Sequence, residues 1–180
     1  MPNHTSTILN LTGNAKQIAA FIKSVTVGDN NMDFDGVVPM PEELRNTTKG
    51  FGSKITPEQE RINADLIAKF GFDNWYDWAC ANWGTKWGAY DAGEWKDNSI
   101  FYQTAWSPAT EFLLKASKLF PSVHFKHSYA DEGGGFLGWE EIFKGEVRQS
   151  MEIGWDCPEG IELRKELGVW YEDEEADAQE

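Results

Sequence analysis

Cysteine, histidine and positive charge are all scarce in this chain. Cys80 and Cys157 are too few for a disulfide framework, and both are expected as reduced thiols. His124 and His127 sit three apart on an expected strand, so they point to opposite faces and do not readily chelate one ion; His4 has no visible partner. No apolar run reaches the roughly 18 residues that a membrane span needs. The opening Met-Pro-Asn-His-Thr-Ser lacks the basic and apolar regions of a signal peptide, so the cytoplasm is the expected compartment. Neither Gly50-Phe-Gly-Ser-Lys54 nor Gly133-Gly-Gly135 has the spacing of a phosphate-binding loop, and the second reads as a hairpin turn.

Acidic residues, 30 against 16 Lys and Arg, leave a formal charge of −14. Nine of them fall between Glu159 and Glu180, opposed only by Arg164 and Lys165, so half the net charge sits in that segment. Its end, Tyr171–Glu180, is expected to be disordered, because it has little apolar surface to offset its ordering entropy. Nucleic-acid binding draws affinity from cations against phosphate, so direct binding is not expected. A basic protein surface remains an allowed partner.

Aromatic residues are plentiful instead. Trp75, Trp78, Trp83 and Trp87 fall within one short stretch, and Trp95 and Trp106 follow. Each indole can bury on the order of 200 Å² and seeks a partner for its N–H. Such a cluster is either a tryptophan-heavy core or a concave site with a few fixed polar groups.

Periodicity gives the order of elements. Thr7–Thr12 reads as a first strand. Asn14, with Gln17 three residues on, caps a helix whose apolar stripe is Ile18, Phe21, Ile22 and Val25. Arg45–Ile55 reads as a mobile loop. Thr56-Pro-Glu-Gln59 starts a helix that runs to Phe70 and stops at Gly71; another runs from about Asp73 to Trp83. Lys86–Trp95 and Ser99–Trp106 alternate as strands joined at Lys96-Asp-Asn98. A helix from Ser107, a strand at Val123–Tyr129 and a terminal hairpin complete the chain. The expected fold is α+β: a ferredoxin-like antiparallel sheet with two helices on one face, a helical insertion at about 30–84 and an extra C-terminal hairpin. The expected domain is 1–158, with 159–180 as an acidic appendage.

Asn31-x-Asp33-x-Asp35-Gly36-x5-Glu42 has the outline of a calcium loop. Pro39 and Pro41 fall where its exiting helix should start, so the segment is expected to be extended and metal-free.

Met1-Pro-Asn-His4, Val38-Pro-Met-Pro41, Asn74-Trp-Tyr-Asp-Trp78, Asn82-Trp-Gly-Thr-Lys-Trp87 and Thr104-Ala-Trp-Ser-Pro108 resemble the YubB/Api-type family over residues 1 to about 150. The resemblance implies a ferredoxin-like domain and an origin in phages and conjugative plasmids. It supplies no catalytic residues.

The candidate site is Asn82, Trp83, Thr85, Lys86, Trp87 and Asp91, with Trp106. Lys86 between Thr85 and Trp87 is not needed to fill a core, and it can stack over an indole. No catalytic residue, metal or cofactor is expected. The leading expectation is a non-enzymatic accessory protein of a phage or plasmid. It would bind a host or competing-system protein in the cytoplasm, with acidic DNA mimicry as a sub-case. The alternative is a nucleotide-like small-ligand binder or enzyme built on the same cluster.

Overall fold

The computed structural model describes residues 3–48 and 55–169. His4–Gly13 forms β1, longer than its apolar centre alone suggests. Thr5, Thr7, Leu9 and Leu11 point to one face and Ile8 to the other, as the strand period of two requires. Ala15–Val25 forms α1. Asn14 Oδ1 caps it by accepting from the N–H groups of Lys16 and Gln17, each at 3.1 Å. Gln17 does not return the bond. Its Oε1 accepts from the Ser122 N–H at 2.9 Å, which pins the helix start to a distant turn.

The insertion follows. A 3₁₀ turn at Phe34–Gly36, not plain extended chain, is capped by the Asp33 carboxylate. The Asp35 carboxylate accepts from Arg45 at 2.7 and 3.1 Å and from the Met40 N–H at 2.7 Å. Its oxygens are thereby engaged by protein donors. Glu42–Arg45 forms α2, so Arg45 ends a helix and does not open a loop. Residues 49–54 of the expected loop, including Gly50-Phe-Gly-Ser-Lys54, lie outside the described residues. Pro57–Phe70 forms α3, with Thr56 as its cap and Gly71 at its end; Trp75–Trp83 forms α4, capped by Asn74.

Ser99–Ala105 (β2), Thr110–Leu119 (α5), Val123–Asp131 (β3), Leu137–Phe143 (β4) and Glu146–Glu152 (β5) complete the sheet region. The five strands lie in the order β2-β1-β3-β4-β5, all neighbours antiparallel. β2 and β3 flank β1, and α5 crosses over it. This is the split β-α-β arrangement of a ferredoxin-like α+β fold. The extra hairpin extends the same sheet beyond β3.

The strand expected at Lys86–Trp95 is reduced to a bridge. Tyr90 exchanges backbone hydrogen bonds with Gln103, and Gly93 donates to Phe101. Asp91, at φ +49°, turns the backbone out of extended geometry between them.

α1 and α5 cover the same face. Ile18, Phe21 and Val25 of α1 and Phe112, Leu113 and Ala116 of α5 share one core with Leu9, Leu11, Ile100 and Phe125. The insertion completes this core, with Phe34 stacked on Phe112 at 4.1 Å between ring centres. Pro158–Leu167 forms α6 on the other face, where Leu163 and Leu167 pack with Ile8, Ala130 and Leu137. The acidic segment set apart from residue 159 thus begins inside a packed helix. Tyr171–Glu180 lies outside the described residues.

Candidate functional site

α4 ends at Gly84, whose φ of +80° is the left-handed geometry that closes a helix. A Cβ there would sit 3.3 Å from the Glu111 backbone N, so the chain passes close beneath α5. Ser107 Oγ donates to Gly84 O at 2.6 Å, and Lys115 Nζ donates to Asn82 Oδ1. The serine bond joins the Asn82–Trp87 string to the Thr104–Pro108 string, and the lysine bond ties Asn82 to α5. Burial pulls the Lys115 pKa below its ordinary value.

The seven candidate residues divide. Trp83 is core: it is buried, meets Trp78 and Phe34 edge-on at 5.3 and 6.0 Å, and donates its indole N–H to Val38 O at 2.9 Å. Thr85 is also buried, and its hydroxyl donates to Trp87 O, closing a tight turn. Asn82 is half-buried and structural in its bonding, with Nδ2 donating to Trp78 O at 2.8 Å. Asp91 is exposed and lines a different recess, with Asp29, Asn30, Asn31 and Tyr90.

Lys86, Trp87 and Trp106 do come together. Lys86 Nζ lies 4.4 Å from the Trp87 ring centre and 4.6 Å from that of Trp106. The two indoles are 40% and 45% exposed. Tyr76 meets the edge of Trp106 at 6.4 Å. Trp106 has φ +73°, a region that bulky side chains avoid. Two bonds hold the turn there: its own N–H donates to Asn3 O at 3.0 Å, and Thr104 Oγ1 donates to Ser107 O at 2.7 Å.

Sequence reasoning missed a second polar group. His127 is fully buried on β3, directly opposite Glu140 on β4, with Nε2 2.8 Å from Oε2. Thr110 Oγ1 donates to the same carboxylate oxygen at 2.8 Å. Burial alone would raise the Glu140 pKa, but the bonds from His127 and Thr110 outweigh it and hold the carboxyl below its ordinary value. The hairpin turn at Asp131–Gly135 was the available signal, since it places 127 opposite 140. His124 is on the opposite face, stacked on Phe143 at 3.9 Å. Among the described residues, no group of three His, Cys, Asp or Glu could hold a metal, and no helix is long and apolar enough to cross a membrane.

The sequence model of one family, described as the ferredoxin-like domain in Api92-like protein, matches residues 82–176, more than half of the chain. The chain belongs to this family. The match starts at the Asn82 string and takes in α6, so it lies further toward the C-terminus than the motifs alone suggest. The chain is also similar to the crystal structure of api92 from Yersinia pseudotuberculosis, at 10% identity and a TM-score of 0.46, over 86% of this chain and 99% of that one. No curated protein matches the chain.

Proposed function

We propose that the chain is a non-enzymatic accessory protein of a phage or plasmid that binds a host or competing-system protein in the host cytoplasm. It docks through Trp87, Trp106 and Lys86. One observation carries this reading: Trp106 is held in a left-handed backbone with nearly half its surface in water. That conformation costs about 1–3 kcal/mol and persists only where the surroundings enforce it. A core position has no use for such a cost. A turn that presents an indole to a partner does, because tryptophans supply much of the binding energy of protein interfaces. The net charge of −14 favours a partner with a basic surface, and acidic DNA mimicry is one form of that.

The alternative, a nucleotide-like small-ligand binder or enzyme on the same string, keeps fewer groups to line a pocket, because Trp83 and Thr85 are buried. The two readings separate on immobilised full-length protein and natural-host extract. The proposal expects a host protein retained at near-stoichiometric amount. A protein that captures nothing, yet releases a nucleotide on denaturation, supports the alternative instead.

A further inference from the structure

The sheet face beneath α1 and α5 changes character along its length. At one end it is apolar, with Leu11, Ile100 and Phe125 under the helices. Toward the start of β1 the same face turns polar. Thr7 lies directly between Tyr102 and Tyr129, and Thr5 between Thr104 and Asp131. Leu9 pairs with His127, which pairs in turn with Glu140. Direct cross-strand neighbours on one face stand roughly 5 Å apart at Cβ, so these side chains form adjoining rows.

Four atoms in these rows, Thr5 Oγ1, Thr7 Oγ1, Tyr102 OH and His127 Nδ1, have no hydrogen-bond partner among the described residues. All four residues have no accessible surface. Buried polar atoms in native proteins are bonded in roughly nine cases of ten or more, and leaving one unmet lowers stability. Four on adjoining rows of one face form a cluster, where scattered packing faults would be spread through the core.

We infer that these rows bind a small neutral guest rich in hydroxyl groups, either ordered water or a small polyhydroxyl molecule. Its chemistry follows from the lining. Three hydroxyls and one imidazole nitrogen can each donate or accept, which suits a guest that does both. The rows contain no lysine or arginine, and His127 already faces Glu140, so an anion finds no free positive charge. The surroundings penalise charge as well: burial, with Glu140 and Glu152 adding to it, pushes the Tyr129 hydroxyl up to about 12. Thr104, in the row of Thr5, holds the turn after Trp106, so an occupied layer also braces that turn from below. The inference is independent of the docking reading.

A high-resolution crystal structure of the full chain tests it. The expected result is density within hydrogen-bond distance of at least two of the four atoms. Mass spectrometry of denatured protein separates the sources: a released small molecule identifies an organic guest, and density without one identifies water. Isosteric replacement supplies an independent sign. Thr7→Val is expected to lower the unfolding midpoint by roughly 2–8 °C, because it strands the guest's bond, while Thr7→Ser, which keeps the hydroxyl, keeps the bound density. The inference is overturned if no density is found near these atoms, or if Thr7→Val unfolds at the wild-type midpoint or above it.

Discussion

Trp83 and Trp106 belong to strings that one serine hydroxyl ties together, yet they sit in opposite circumstances. Trp83 is buried, its N–H is bonded to Val38 O, and its ring is packed edge-on by Trp78 and Phe34. Trp106 lies half in water on a left-handed turn and shares a lysine with Trp87. The difference teaches that the tryptophan-rich stretch is neither wholly buried nor wholly exposed. The boundary falls at Gly84, where α4 ends and the chain turns outward.

The contrast breaks most sharply at Trp83. Trp83→Ala should destabilise the fold by about 3–5 kcal/mol, as buried aromatic truncations do, measured by denaturant unfolding. A loss under about 1 kcal/mol would place Trp83 with the surface group. Gly84→Ala probes the boundary itself. An alanine must adopt φ near +80° and crowd the Glu111 backbone, so a loss of about 1–2 kcal/mol is expected.

The surface side should respond less. In Trp106→Gly, relief of the strained backbone offsets lost ring contacts and added chain entropy, so stability should stay within about 1 kcal/mol of wild type. A much larger loss would mean that the indole is a packing element. Smallest of all, Lys86→Ala should cost less than about 1 kcal/mol, the range of exposed cation–π contacts.

Much of the fold is legible from local rules. The Asn14 and Thr56 caps, the stop at Gly71 and the turn at Lys96–Asn98 stand where the chain's chemistry puts them. The misreadings have physical causes. Lys86–Trp95 alternates in polarity like a strand, but alternation does not reveal that Asp91 takes a positive φ. α6 lies in a segment dominated by acidic residues, and only Leu163 and Leu167 four apart betray a packed side. Gln17 has the spacing of a reciprocal cap, but Ser122, 105 residues away, is the better-placed donor.

The geometry of the candidate site was legible in part. Lys86 stands out because a charge next to two indoles fills no core, and it does lie between them. Trp83 and Trp87 look equivalent in sequence, being four apart, but Gly84 between them ends the helical geometry that would keep them on one face. The His127–Glu140 pair needs the strand register, which composition does not carry.

The most direct measurement is partner capture from natural-host extract by wild type, Trp83→Phe, Trp106→Gly and Lys86→Ala, each with its unfolding midpoint recorded. The docking reading predicts capture by wild type and Trp83→Phe, with loss of at least about tenfold, a binding difference of roughly 1.4 kcal/mol, in the two surface variants at near-wild-type midpoints. Undiminished capture by both Trp106→Gly and Lys86→Ala would contradict it and return the whole string to a structural role.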